Sequence, residues 1–326
     1  MRKIAIEEHF ITRTFEDYLQ KQAVKRGNMS GGLPPHIAAQ MRDIGEGRLR
    51  ALDDAGINMQ VLSLSVPGLE QIAAADAVPL AKDVNEELAA AVRQHPTRFA
   101  GFAALPTTDP QAAADELERA VRTLGLKGAM IHGNPQGTFL DDRANWEIFA
   151  RAEALNVPLY LHPAPPTPDT LQAYEGRPEL IGPLWSFTVD AATQMLRLVV
   201  SGVFDQYPGL TIILGHLGET LPYLLGRLDS RWQFYASRGN LKKRPSEYLR
   251  ENMLVTTSGI FYNPALVCAC MALGVDRILF AVDTPYEPNQ AATAFIEAAP
   301  LSEAEKQQIC HLNAEQLFGL QAGSVR

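Results

Sequence analysis

Residues 128–162, GAMIHGNPQGTFLDDRANWEIFARAEALNVPLYLH, decide the fold. Two short apolar runs, 128–132 and 158–162, open and close this stretch, and each of them ends in a histidine. The segment between them, 142–155, has the length of a helix and begins with Asp142, a residue type that caps helix N-termini. A strand, a helix and a second strand in this order predict two parallel strands joined by a helical crossover.

The same alternation continues along the whole chain. We predict strands at 4–9, 59–65, 99–105, 128–132, 158–162, 210–216, 253–258 and 278–283. The predicted helices between them are 45–55, 77–95, 109–124, 142–155, 187–204, 219–234 and 263–273. No linker rich in Pro, Gly and Ser divides the sequence. We therefore predict an α/β fold, a single (β/α)8 TIM barrel, with one domain over residues 1–326.

Two connections are longer than ordinary βα loops, namely 12–44 after the first strand and 163–185 after the fifth. Both follow strands, so both are expected at the C-terminal mouth of the barrel, where such insertions commonly cover substrates. Residues 301–320 predict a C-terminal helical extension. We expect this extension to pack on the outside of the barrel.

The composition excludes several classes of partner. The chain has 326 residues, with 37 Asp and Glu against 29 Lys and Arg, and a formal net charge of −8. This acidic surplus offers no basic surface to nucleic acid or anionic lipid. No stretch approaches about 18 consecutive apolar residues, and the N-terminus has no signal-peptide core. We expect a cytoplasmic protein with a small-molecule partner, no nucleic acid and no membrane.

Ionisable residues collect at the ends of the predicted strands. The carboxyl ends of barrel strands surround one cavity, so these side chains are expected to converge there. Four of the seven histidines belong to this group. In strand order the group is Glu7 and His9 on the first strand, His132 on the fourth, His162 on the fifth, His216 on the sixth and Asp283 on the eighth.

Glu7 and His9 lie two apart on one strand, so their side chains emerge on the same face and Glu8 points the other way. With His162 and Asp283 they offer two imidazole nitrogens and two carboxylate oxygens to one point. Such a mixed set of nitrogen and oxygen ligands is typical of a divalent-metal site. It does not choose among Zn, Mn and similar ions.

His216 lies in a strand that runs through a glycine-hinged turn, Gly215 to Gly218, into a helix. Glu219 is within reach of its imidazole and would fix the tautomer and raise the basicity of the ring. We therefore expect His216 to serve as a proton shuttle or as a second ligand.

With these residues the chain resembles the amidohydrolase superfamily, in particular its branch of metal-dependent non-oxidative decarboxylases, which includes gamma-resorcylate, 2,3-dihydroxybenzoate and aminocarboxymuconate semialdehyde decarboxylases. The resemblance covers nearly the whole chain. Its carriers are IEEHF (6–10), YLHP (160–163), LGHLGE (214–219), TTSG (256–259), ILFAVDTPYE (278–287) and NAEQLF (313–318).

The resemblance implies metal ligation by Glu7, His9, His162 and Asp283, with His216 and Glu219 as an acid/base pair. It implies one divalent ion, Zn or Mn first and Mg as a third candidate, because the end of the fourth strand carries His132 where binuclear members have a lysine. Phe10, His132 and Arg227 are expected as substrate contacts. A homodimer or homotetramer is also implied.

The implied activity is decarboxylation of an ortho-hydroxybenzoate type of aromatic carboxylic acid. In it Asp283, when protonated, delivers a proton to the ring carbon that bears the carboxylate, or the proton arrives through His216. Two alternatives stay open. One is a metal-dependent hydrolase of a lactone, ester or amide on the same barrel, and the other is a catalytically silent barrel used for assembly, which predicts no bound metal.

Overall fold

A computed structural model describes residues 1–25, 34–133, 138–235, 239 and 241–320. Its strands follow the predicted order, with the third strand interrupted at Phe102. They are β1 (Ile4–Phe10), β2 (Met59–Leu64), β3 (Phe99–Gly101 and Ala103–Ala104), β4 (Ala129–His132), β5 (Leu159–His162), β6 (Ile212–Leu214), β7 (Met253–Thr256) and β8 (Ile278–Leu279).

All neighbouring strands are parallel, and together they form the predicted barrel. The interruption of β3 lets it pair with two neighbours, because the Phe102 N–H donates to the Leu62 carbonyl and the Ala103 N–H to the Gly128 carbonyl, both at 2.9 Å. Between the last strand and the first, the Ile6 N–H donates to the Phe280 carbonyl at 3.2 Å. Backbone hydrogen bonds therefore connect the strands around the ring.

Helices alternate with the strands and cover the outside of the barrel. Within the described ranges they are α1 (Arg13–Lys25), α2 (Pro35–Arg42), α3 (Glu46–Ala55), α4 (Ala74–Gln94), α5 (Pro110–Arg122), α6 (Trp146–Leu155), α7 (Pro168–Leu171), α8 (Ser186–Ser201), α9 (Val203–Gln206), α10 (Leu221–Trp232), α11 (Pro245–Asn252), α12 (Asn263–Leu273), α13 (Asn289–Ala298), α14 (Glu303–Gln307) and α15 (Asn313–Phe318).

Several of these helices differ from the sequence prediction. The predicted helix 187–204 is divided into α8 and α9 at Gly202, whose φ of 82° breaks the helical hydrogen bonding. Five helices were not predicted: α1 and α2 in the first long connection, α7 in the second, α11 before β7, and α13 after β8. The predictions for 26–33 and 134–137 lie outside the described residues.

The C-terminal extension packs only in part on the outside of the barrel, where Ile309 and Cys310 join the apolar layer between the strands and the helices. Ala314 and Phe318 of α15 join the cluster of apolar side chains inside the barrel, which includes Ile4 and Phe102. The Phe102 and Phe318 rings lie 5.6 Å apart in an edge-to-face arrangement. α15 thus covers the amino-terminal end of the barrel, because apolar side chains facing down from the strands need a cover there.

The two long connections lie on the side of the barrel where the strands end. The one after β5 contains α7 and brings Pro163 and Pro183 to the wall of a cavity. The described part of the one after β1 borders a different cavity, of about 700 Å³, through α2 residues such as His36 and Gln40.

None of the helices within the described ranges reaches the length and apolarity that a bilayer crossing requires. One domain over residues 1–326 stays a prediction.

Candidate active site

Glu7, His9, His162 and Asp283 converge at the carboxyl ends of β1, β5 and β8. One ligand atom from each lies within 4.8 Å of the corresponding atoms of the other three. His9 Nε2 is 3.0 Å from Asp283 Oδ1, and His162 Nε2 is 3.6 Å from Glu7 Oε1. The structure therefore brings together the four side chains that were expected to bind a metal.

The Glu7 carboxylate is held by hydroxyl groups on one of its two oxygens. Tyr160, Ser258 and Thr256 all donate to Oε2, the last at 3.1 Å. Burial raises the pKa of Tyr160 well above its ordinary value and the adjacent Glu7 charge adds to this, so the phenol keeps the proton that it donates. Oε1 is left to face His162.

His162 is prepared as a neutral ligand. Its Nδ1 lies 2.8 Å from the Pro163 carbonyl oxygen, which only accepts, so Nδ1 carries the proton and Nε2 presents its lone pair to the site. Burial lowers the pKa of His162 well below its ordinary value, and the neighbouring His132 and His9 lower it further. A neutral imidazole is the form that binds a metal.

Three buried atoms test whether a metal fits this group. Glu7 Oε1, His9 Nε2 and Asp283 Oδ1 make no hydrogen bond with any residue that the structure describes. The last two face each other at 3.0 Å without the alignment of a hydrogen bond. Buried polar groups without partners are costly, and one cation between these atoms would satisfy all three. The residues therefore fit a divalent metal ion.

His216 and Glu219 form the pair that the sequence predicted. His216 Nδ1 lies 2.5 Å from Glu219 Oε1, while its Nε2 lies 3.9 Å from Glu7 Oε1 and 4.0 Å from Asp283 Oδ2. Burial alone would lower the pKa of His216, but the Glu219 and Glu7 carboxylates outweigh it and hold that pKa well above its ordinary value. The two carboxylates thus favour the protonated form of His216.

The backbone at Gly259, just after β7, packs closely against the imidazole of His216. Gly259, at a φ of 63°, lies against the imidazole, and a Cβ atom added there would meet His216 Cδ2 at 2.9 Å. Only glycine tolerates both this conformation and this distance.

Asp283 faces two imidazoles, those of His216 and His9. Burial alone would raise the pKa of Asp283, but the two histidines outweigh it and hold that pKa below its ordinary value. The two imidazoles therefore favour the ionised carboxylate, and both routes of proton delivery that were expected from the sequence stay predictions.

These groups open onto a cavity of about 510 Å³. Val66, Pro163, Phe187, Ile260 and Tyr286 supply apolar and aromatic surface, and the polar wall consists of Asp283, Glu219, Glu287 and the two histidines His162 and His216. Among the described residues no lysine or arginine lines it.

The three expected substrate contacts do not line this cavity. Phe10 is fully buried in the core, because it follows His9 directly on β1 and so points to the opposite face. His132 is buried against Glu70, whose Oε1 accepts the His132 backbone N–H at 2.9 Å. Arg227 is exposed on α10, on the same helix face as the exposed Tyr223.

Sequence reasoning assigned no role to several residues of the site. Tyr160 lies two positions before His162, and Thr256 two positions before Ser258, so strand alternation places each on the face that points into the barrel. That signal was sufficient to find them. Tyr286 and Glu287 lie in the loop after β8, where no periodicity predicts the direction of a side chain.

A parallel barrel with a buried set of two histidines and two carboxylates at its carboxyl-terminal mouth defines a metal-dependent barrel enzyme. The sequence model described as Amidohydrolase matches residues 30–320, and the chain belongs to this family.

Named relatives are similar over the full length. The chain is 40% identical to a gamma-resorcylate decarboxylase of Polaromonas sp., covering 98% of both chains. It is similar to the crystal structure of a dihydroxybenzoic acid decarboxylase from Polaromonas sp. with bound manganese and the inhibitor 2-nitroresorcinol, with a TM-score of 0.89, 39% identity and coverage of 98% and 97%. It is also similar to the 5-carboxyvanillate decarboxylase LigW of Sphingomonas paucimobilis, with a TM-score of 0.93, 32% identity and coverage of 98% and 99%.

Proposed function

We propose that this protein is a manganese-dependent, non-oxidative decarboxylase of a hydroxylated aromatic acid, with gamma-resorcylate (2,6-dihydroxybenzoate) as the first candidate substrate. The observation that carries the proposal is the convergence of Glu7, His9, His162 and Asp283, whose ligand atoms lie within 4.8 Å of one another beside the cavity. The decarboxylases named above, one of them with bound manganese, support it.

These four residues would hold the ion. When bound, it supplies positive charge that orients the carboxylate and ortho phenol oxygens of the substrate and stabilises negative charge on the phenol oxygen. Among the described residues no lysine or arginine lines the cavity, so the imidazolium of His216 is the one protein group of the lining that would offer a full positive charge to the anionic substrate.

His216 is the proton store in this proposal. Its raised pKa keeps the imidazolium charged near neutral pH, and Glu219 holds the ring from the other side. Asp283 lies 4.0 Å from His216 Nε2 and, being ionised, receives the proton and passes it to the ring carbon that bears the carboxylate. The bond to the carboxylate then breaks, its electron pair restores aromaticity, and CO2 leaves.

The walls of the cavity position the ring. Phe187, Ile260 and Val66 offer apolar surface to the aromatic faces, and Pro163 fills the side next to His162. Such surfaces also exclude water, which strengthens the electrostatic interactions within the site.

Finer features of the protein belong to the same proposal. Zinc and magnesium are the alternative ions, since the mixed ligand set accepts each of them. A homodimer or homotetramer and a cytoplasmic location stay predictions. A role for Phe10, His132 and Arg227 in substrate binding also stays a prediction, and the cavity of a single chain gives it no support.

The test is a metal analysis joined to a substrate screen. The protein is stripped with a chelator, reloaded separately with Mn, Zn or Mg, and assayed for CO2 release from gamma-resorcylate, 2,3-dihydroxybenzoate and 5-carboxyvanillate, and for hydrolysis of lactones and aryl esters. We expect CO2 release from gamma-resorcylate that requires the metal and that Asp283→Asn abolishes. Hydrolysis without CO2 release would establish the hydrolase instead, and absence of bound metal would contradict both.

A further inference from the structure

The carboxylate of Glu8 binds the backbone on both sides of Asp283. Glu8 lies on β1 between Glu7 and His9 and is fully buried on the face away from the cavity. Its Oε1 accepts the Val282 N–H at 2.9 Å, and its Oε2 accepts the Thr284 N–H at 3.2 Å. One side chain thus receives the two amide protons that flank a residue of the candidate metal group.

The amide of Asp283 itself is also bound by β1. Its N–H donates to the Glu7 carbonyl at 2.9 Å, and in return the His9 N–H donates to the Thr284 carbonyl at 2.7 Å. Three consecutive N–H groups, those of residues 282, 283 and 284, therefore end on Glu7 and Glu8.

This anchoring coincides with an unfavourable backbone conformation. Asp283 has a φ of 81°, in the left-handed region that non-glycine residues avoid. Such a conformation persists only where surrounding contacts determine it. The Glu8 carboxylate supplies two of these contacts, and without it the chain at Asp283 is free to relax to a more favourable φ.

A buried network holds the Glu8 carboxylate in turn. Gln60 Nε2 donates to Glu8 Oε2 at 3.0 Å, and Gln60 Oε1 accepts from Arg48 Nη1 at 3.3 Å. Arg48 Nη2 donates to the His9 carbonyl at 2.6 Å. All three side chains are at least 95% buried, so the network is protected from water and joins the backbone of His9 to that of Asp283.

We propose that Glu8 is a positioning residue, which fixes Asp283 in register with Glu7 and His9 and thereby sets the affinity of the site for its divalent ion. The inference rests on the metal site of the proposed function. Groups that orient metal ligands commonly contribute about 10-fold to 100-fold to metal affinity, although Glu8 itself points away from the cavity.

A merely structural buried carboxylate would behave differently, and Glu116 provides the matched control. It is 4% exposed, it accepts hydrogen bonds from Asn85 at 2.7 Å and Arg119 at 2.8 Å, and it lies on α5, away from the four residues of the metal group. Its replacement therefore reports the general cost of removing a buried, hydrogen-bonded charge.

The experiment compares Glu8→Gln and Glu116→Gln in the full chain. Free Mn²⁺ is counted by its EPR signal during titration of the metal-stripped proteins, and thermal unfolding is recorded without metal. Glutamine keeps one acceptor but turns an N–H toward a backbone N–H, so we expect Glu8→Gln to bind Mn²⁺ about 10-fold to 100-fold more weakly. Glu116→Gln should bind within about twofold of the unchanged protein, whatever its loss of stability.

A folded Glu8→Gln protein with unchanged Mn²⁺ affinity would overturn the inference, and so would an equal loss in Glu116→Gln. If Glu8→Gln does not fold, Gln60→Leu decides, because it removes one donor to Oε2 and leaves the carboxylate in place. We expect a loss of a few fold for Gln60→Leu, and an unchanged affinity would again overturn the inference. Failure of the unchanged protein to bind Mn²⁺ would overturn the proposed function as well.

Discussion

Glu219 Oε1 lies 2.5 Å from Nδ1 of His216, so the imidazole is fixed with its other nitrogen, Nε2, 4.0 Å from Asp283 Oδ2. The carboxylate contributes both orientation and charge, and the charge is one reason why the pKa of His216 is raised. A carboxylate, an imidazole and a second carboxylate in line can store a proton and deliver it into the cavity.

His216→Asn should lower kcat for gamma-resorcylate by about 10²-fold to 10⁴-fold, the contribution of a positioned proton donor. Glu219→Gln keeps the side-chain shape but loses the charge that favours the imidazolium, so we expect a smaller loss of kcat. In that variant the alkaline limb of the pH profile should also move to lower pH. Steady-state rates at saturating manganese measure both effects, and an unshifted limb in Glu219→Gln would contradict this role.

We expect Glu287 to determine which aromatic acids the cavity accepts. It lines the cavity, where burial and the nearby Asp283 raise its pKa. An ionised Glu287 repels a second carboxylate on the ring, and two like charges in such a site interact by roughly 1–4 kcal/mol. Replacing Glu287 by Gln should therefore raise kcat/KM for 5-carboxyvanillate, which has two carboxylates, about tenfold relative to gamma-resorcylate.

The matched control is Glu179→Gln, whose side chain is 58% exposed in the loop after β5. We expect its ratio of kcat/KM values for the two acids to equal that of the unchanged protein. An unaltered ratio in Glu287→Gln would show that the second carboxylate does not approach this residue.

We expect α15, which covers the amino-terminal end of the barrel, to contribute to the stability of the fold and not to catalysis. Phe318 is 5% exposed and packs on Phe102 inside the barrel. Phe318→Ala should lower the free energy of unfolding by about 3–5 kcal/mol. Phe234→Ala, at a side chain that is 71% exposed, should change it by less than about 0.5 kcal/mol. Urea denaturation measures both, and equal losses would contradict the cover.

The sequence was sufficient for the features that depend on local periodicity. Alternation along β1 places Glu7 and His9 on one face, and the same rule, applied strictly, would have turned Phe10 away from the substrate. The position of 301–320 was not predictable in this way. An apolar stripe on a helix predicts that the helix packs on something, but it does not identify the partner. The need for a cover at the amino-terminal end of the barrel becomes visible only in the closed ring of strands.

The surroundings of Asp283 were also beyond the sequence. The bonds of its two neighbours to Glu8, which hold its φ of 81°, span 274 and 276 positions of the chain. A strand prediction over 278–283 assumes extended backbone throughout, whereas β8 ends at Leu279. Asp283 lies beyond the end of the regular strand. Strand periodicity therefore predicts where the site is but not how its side chains are arranged.

The buried carboxyl group of Asp190 on α8 should make the free energy of unfolding depend on pH. Burial raises the pKa of this carboxyl from 3.8 to about 6, although its Oδ2 accepts hydrogen bonds from Ala164 N–H at 3.1 Å and Gln194 Nε2 at 3.0 Å. Between these two values the folded state binds more protons at this residue than the unfolded state, so the residue makes stability fall as the pH rises. The penalty is complete above about pH 6.

Asp190→Asn should therefore stabilise the protein at pH 7.5, because the amide oxygen can accept both hydrogen bonds without carrying a charge. Two pKa units correspond to about 3 kcal/mol, and we expect about 1–2 kcal/mol because Asp190 is only half-buried and water screens its charge. Near pH 4 the difference should approach zero, since Asp190 is then largely protonated in the folded state and already half protonated in the unfolded state. Urea denaturation at both pH values measures the effect, and a variant that is less stable than the unchanged protein at pH 7.5 would show that the Asp190 charge is stabilising.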